Sequence, residues 1–105
     1  MRSLSFRKDF REMILSGDKT ATLRMGWKDY TPGEIVNITV DSTVIATAVI
    51  TSVRRKKWHQ ITDDDAGVDG FSTIDELRDV LVQIYGPFED DTVFTQIKFR
   101  VVQSL

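Results

Sequence analysis

No cysteine occurs among the 105 residues, which excludes disulfides and thiolate metal sites and makes a reducing cytoplasm the expected location. The single histidine, His59, gives little support to a histidine-based metal centre or a Ser-His-Asp triad, so neither a metal nor a cofactor is expected. Long apolar runs are missing as well. None approaches the ~18 residues that a membrane-spanning helix requires, and the first residues lack the apolar core of a signal peptide, so a membrane is not an expected partner. Repeats, linkers and low-complexity tracts are also absent. The length suits one domain over residues 1–105, burying about two-thirds of its unfolded surface.

A charge excess of either sign is lacking, the net value being -2. The balance conceals an asymmetry, because residues 1–60 carry 11 Lys and Arg against 6 Asp and Glu, whereas residues 61–105 carry 3 against 10. Such a chain is a poor nonspecific polyanion binder overall, yet it leaves room for a local basic groove.

Leu4 and Phe6 alternate as a short strand would. Phe10, Met13 and Ile14 then fall at helical spacing between Asp9, read as an N-cap paired with Glu12, and the helix-stopping Gly17. Residues 20–25 alternate again, with Thr20, Thr22 and Arg24 on one face and Ala21 and Leu23 on the other. The stretch "GWKDYTPG" is a turn-rich loop. Residues 34–40 and 43–53 are β-branched strands around an Asp41-Ser42 hairpin, and "RRKKWHQ" follows. A helical turn starts at Thr62. A longer helix starts at Ser72, with Ile74, Leu77, Leu81 and Ile84 as its buried stripe, and stops at Gly86-Pro87. Residues 92–102 close the chain as a strand, with Val93, Thr95, Ile97, Phe99 and Val101 on one face. The pattern implies an α+β domain: a mixed β-barrel of five or six strands with two or three peripheral helices.

Three stretches in order, "ILSGDKTATLR", "YTPGEIVNI" and "DGFSTIDEL", together with the terminal "FTQIKF", resemble the ASCH domain, a branch of the PUA-like superfamily of β-barrels. The resemblance runs from Phe6 to Phe99, and in length it is closest to the small single-domain N4-acetylcytidine amidohydrolase type. It implies that Lys19 acts as proton acceptor and Thr22 as nucleophile. Asp69 takes the place of the family's glutamate once a one-residue insertion is allowed. RNA or a modified nucleoside is then the implied partner; the oligomeric state stays open.

Thr22 is a poor nucleophile unless a base takes its proton, and Lys19 can be that base only if burial or a neighbouring cation lowers its pKa. Arg24, on the Thr22 face, supplies such a cation. Thr20, Trp27 and Tyr30, close to Arg24 in sequence, are the accompanying ligand-binding candidates, the two aromatics for stacking on a base. The plainer alternative is an exposed lysine, a β-favouring threonine and an ion-paired arginine on a half-buried strand. The "RRKKWH" run reads equally as a phosphate clamp or as a charged strand end that discourages edge pairing. Two functions therefore remain: a module that binds RNA or a modified nucleoside, and a metal-free amidohydrolase. A protein-interaction module is a weaker third.

Overall fold

A computed structural model describes residues 1–105. Strand β1 (Ser3–Phe6) leads through a 3-10 turn at Lys8–Phe10 into helix α1 (Arg11–Ser16). Strands β2 (Ala21–Met25), β3 (Ile35–Val40) and β4 (Thr43–Lys57) follow. After a second 3-10 turn at Trp58–Gln60 come α2 (Asp63–Val68), α3 (Ile74–Tyr85) and β5 (Val93–Ser104). The strands form one sheet in the order β1-β3-β4-β5-β2, parallel only between β1 and β3, and it curls into a half-barrel. β1 and β2 are its two edges, so the curl leaves a seam between them.

The period of two along each strand sorts the side chains into two cores. Leu4, Phe6, Val36, Ile38, Ala48, Ile50, Ile97 and Phe99 fill one face, with Ile14 of α1 packed against them. Leu23 and Phe94 point to the other face, where Trp58, Ile61, Ala66, Leu77 and Leu81 cover them. Phe94 is fully buried on the face opposite to Thr95 and Ile97, so β5 is enclosed on both sides around Phe94–Ile97. No helix is long and apolar enough to cross a membrane.

The helix ends differ from the expected ones in detail. Thr73, not Ser72, caps α3, accepting from the Glu76 amide at 3.2 Å. The turn at Lys8–Phe10 precedes α1, and Asp9 pairs with Arg7 at 3.1 Å instead of capping it. Ile84 is 48% exposed, so the buried stripe of α3 is Leu77 and Leu81, with Ile74 half-buried. The Asp41-Ser42 hairpin forms with both residues at positive φ (50° and 64°), as a tight primed turn demands.

Asp65 is the electrostatic anchor of the helical side. Its carboxylate accepts from the Thr62 amide (2.9 Å), Gln96 Nε2 (2.9 Å) and Lys56 Nζ (3.0 Å), joining α2 to β4 and β5. Thr62 returns the cap, its hydroxyl accepting from the Asp65 amide at 3.2 Å. Burial alone would raise the Asp65 carboxyl, but the Thr62, Gln96 and Lys56 donors together outweigh it and hold the pKa at about 2.

A carboxyl held below its unfolded value near 3.9 stabilises the fold fully above that value, and the contribution is lost as pH falls toward 2. We expect Asp65→Asn to lower stability by about 2 kcal/mol at pH 7, with the gap closing between roughly pH 4 and pH 2. Urea unfolding of both proteins across that range checks this. A gap independent of pH would refute it.

Candidate functional site

The Gly17 turn directs the chain into the site. Gly17 adopts φ 86°, and its amide donates to Ile14 O. The Lys19 amide then donates to Met13 O (2.9 Å), and that of Thr20 to Val68 O (2.8 Å). These bonds hold residues 17–20 outside the β ladder, which begins at Ala21. Lys19 is thereby freed from strand alternation and shares a cavity with Thr22.

Asp69 arrives from the opposite direction, at the C-terminal end of α2. Lys19 Nζ donates both to the Asp69 carboxylate and to the Asp69 main-chain oxygen, the latter at 2.8 Å. Lys19 is 2% exposed and Asp69 4%, so the ion pair is screened from solvent. The next residue must be small: Gly70 has φ 96°, and a Cβ there would meet Met13 Sδ at 3.2 Å and Lys19 Cβ at 3.5 Å. Three aromatic rings surround the ammonium, with centroids at 4.8 Å (Phe10), 5.7 Å (Phe6) and 5.8 Å (Phe71).

Burial is the largest influence on this pair. It pushes the Lys19 ammonium below the ordinary lysine range; the Asp69 carboxylate opposes that and the Arg24 charge adds to it. Burial likewise pushes the Asp69 carboxyl above its ordinary range, against the pull of Lys19 and Arg24. Both shifts favour moving the shared proton from nitrogen to oxygen.

Arg24 spans the seam. Its terminal nitrogen donates to the Ser5 carbonyl on β1 at 2.7 Å, its Nε donates to Thr22 Oγ1 at 3.3 Å, and its guanidinium lies over Phe6 at 5.0 Å. The cavity that results has a volume of about 330 Å³ and opens between β1, β2 and α3. Lys19, Thr22, Arg24 and Asp69 supply polar groups to it, with Ser5, Arg7 and Asp41 also in its lining; Phe6, Phe10, Phe71, Leu81 and Tyr85 supply most of the apolar wall. Polar groups converging on such a pocket can orient a flat, partly polar ligand of nucleoside size. No cluster of histidine, aspartate and glutamate is arranged to hold a metal ion.

The other three candidates lie elsewhere. Thr20 faces a separate depression beside α1 and β5. Tyr30 donates to Ser3 O at 2.9 Å and is covered by Arg2, which also pairs with Asp29 (3.0 Å) and Glu34 (2.6 Å). Trp27 is 72% exposed and sits against Arg55, 4.0 Å from ring centroid to guanidinium carbon. The loop carries both aromatics away from the cavity because its start is tied to Thr95, whose hydroxyl donates to Gly26 O (2.7 Å) and accepts from the Lys28 amide (3.0 Å). Nearness to Arg24 in sequence was a poor guide there. The aromatic residue missed on α3 is Tyr85; its signal was the i, i+4, i+8 row Leu77, Leu81, Tyr85.

Removing one partner of the buried pair strands the other. Asp69→Leu should cost about 3–5 kcal/mol, whereas Lys19→Met combined with Asp69→Leu should recover much of that loss, since neither charge then remains. Chemical denaturation of the two single variants and the double variant measures the coupling. Additive losses would contradict it.

Comparison with known proteins agrees with this architecture. The family model described as the ASCH domain matches residues 2–103. Among solved structures, an ASCH domain from Lactobacillus crispatus JV V101 is 21% identical with a TM-score of 0.78, covering 88% of this chain and 69% of its own. A protein from Enterococcus faecalis V583 is 19% identical (TM-score 0.73; 92% and 72% covered). The ASCH protein of Zymomonas mobilis is 20% identical (TM-score 0.68; 93% and 65% covered). At these identities the likeness concerns the fold. No curated protein matches the chain. With the family model spanning nearly its whole length, this chain belongs to the ASCH domain family.

Proposed function

We propose that the cavity binds a modified nucleoside, free or within RNA. The observation that carries this reading is the meeting of Lys19, Thr22, Arg24 and Asp69 in one pocket whose wall is otherwise mostly aromatic and aliphatic. A base fits such a site because its faces suit apolar contacts while its edge needs donors and acceptors. Arg24 is the principal donor, Thr22 can donate or accept, and the Lys19–Asp69 pair presents both polarities. The absence of cysteine fits a cytoplasmic setting.

A second reading, hydrolysis of the acetamide of N4-acetylcytidine, is favoured by the lowered Lys19 and raised Asp69. The reaction starts when the shared proton passes from Lys19 to Asp69, a transfer that both shifts make easier, leaving a free amine beside a carboxylic acid. Lys19 takes the Thr22 hydroxyl proton as Oγ1 attacks the acetyl carbon. The C–N bond breaks as Asp69 gives its proton to the departing amine, leaving an acetyl–threonine ester and the Lys19–Asp69 ion pair. Water then attacks the ester, giving one proton to Asp69 and keeping the other on the product while Lys19 returns its proton to Thr22; acetic acid leaves, to ionise in solvent, and the starting state is restored. Asp69 is one methylene shorter than the glutamate that the family resemblance places here. Its direct contact with Lys19 gives it a short proton path to that amine.

Titrating the protein with cytidine and N4-acetylcytidine, while following Thr22 and Arg24 by NMR, tests the binding reading. Shifts at both residues are expected. Arg24→Gln should weaken binding about tenfold or more, in line with the ~1–3 kcal/mol of a stranded polar partner. Unchanged spectra at millimolar nucleoside would overturn it. Chromatographic detection of cytidine, abolished by Thr22→Val with ligand affinity largely kept, would establish the second reading; intact N4-acetylcytidine after prolonged incubation would remove it.

A further inference from the structure

Away from the cavity, one surface strip is left without an assignment. β3 pairs with β4 only over Thr43–Val49, so the half of β4 that carries "RRKK" has β5 on one side and no strand on the other. Arg54 and Lys57 of this half are exposed, as is Lys28 in the neighbouring loop. None of Lys28, Arg54, Arg55 or Lys57 has an acidic partner within ion-pair distance, whereas Lys56 is engaged by Asp65. A depression of about 340 Å³ lined by Arg54, Arg55, Lys56 and Gln60 lies here and contains no carboxylate.

Trp27 makes the strip more than a charged edge. Arg55 covers one face of its indole, and with 72% of the residue exposed the other face is open. Arg55 is fixed by a hydrogen bond to the Lys28 carbonyl, and its buried Nε has no acceptor. Charge alone would keep the unpaired edge from joining another strand. That role gives no reason for a tryptophan held open on a clamped arginine. An aromatic face beside unneutralised cations is the arrangement that takes a base by stacking and the adjoining phosphates by charge.

We propose that this strip, built from Trp27, Lys28, Arg54 and Arg55, is a separate binding site for a single-stranded polynucleotide. One base stacks on the open face of Trp27, and flanking phosphates lie against Arg55 and Lys28 and pass over the unpaired β4 edge to Arg54, which alternation turns to the opposite face. The register sets its place relative to the cavity: Arg24 and Arg55 are both paired with Thr95, so the three point to the same side of the sheet, with the arginines about two strand spacings, roughly 10 Å, apart. The site therefore lies beside the cavity and recognises the strand rather than the modified nucleoside.

Hexauridylate is the probe, read through tryptophan fluorescence; Trp58 is only 6% exposed, so quenching reports on Trp27. Hexauridylate should quench the emission, with log affinity falling against log salt at a slope near about -2 for three phosphate contacts. Trp27→Leu, followed by NMR, and the surface pair Lys28→Ser with Arg54→Ser should each weaken binding tenfold or more. None of these residues lines the cavity, so cytidine-type ligands should still shift Thr22 as in the wild type. Loss of the Thr22 response alone would defeat the cavity reading and leave the strip standing. Absence of hexauridylate binding at 50 mM salt would overturn the strip, as would equal binding and quenching by hexaglutamate, which would mark it as a site for acidic protein segments.

Discussion

A buried ion pair, Lys19 with Asp69, is the constraint around which the molecule is arranged. Two charges removed from water are costly unless each is fully partnered. The chain meets that demand from several sides. The Gly17 turn delivers Lys19, the end of α2 delivers Asp69 with its main-chain oxygen as a second acceptor, and Phe6, Phe10 and Phe71 enclose the ammonium. The pair thus ties the α1 turn to the end of α2, two elements separated by fifty residues. It lies where both cores reach the seam of the half-barrel, and the cavity is the space left between them.

Arg24 completes this arrangement from the edge. An open sheet edge exposes unpaired backbone groups, and the β1 and β2 edges face one another across the seam. The guanidinium satisfies the Ser5 carbonyl and bridges the gap without closing it, as a direct β1–β2 ladder would. A fully closed barrel would have no cavity here. On the other side of the sheet the Asp65 network performs the matching structural task without facing the cavity, so the two buried aspartates divide the work: one anchors the helices, the other serves the site.

The fold was largely legible because its strands alternate cleanly and its stops are strong, as at Gly17, Asp41-Ser42 and Gly86-Pro87. The barrel class and five of the strands follow from these signals. Within the site, Thr22 and Arg24 were readable as one face of one strand, and Lys19 through the turn that precedes it. Asp69 rested on the family resemblance, since a loop aspartate beside glycine carries no signal of a partner fifty positions away. Phe10, Phe71 and Tyr85 were not recognised as cavity walls, because tertiary placement, not periodicity, brings the first two beside Lys19. Trp27 and Tyr30 show the opposite error: adjacency to Arg24 suggested a shared cleft, but the hydrogen bonds of Thr95 and Ser3 carry the loop across the sheet. Asp65 was hidden for the same reason as Asp69, although its Thr62 cap was written three residues upstream.

The protonation of the central pair is the most direct measure of the account. Following the Lys19 side chain by NMR with selectively labelled lysine, as pH is varied over the range where the fold is intact, reports it without substituting any residue. Lys19 should lose its proton at lower pH than the ordinary lysine value of about 10.4, and the Asp69 carboxyl should take up a proton at higher pH than the ordinary aspartate value of about 3.9. Titration of Lys19 at the ordinary lysine value would contradict the account, because it would mean that burial does not govern the pair.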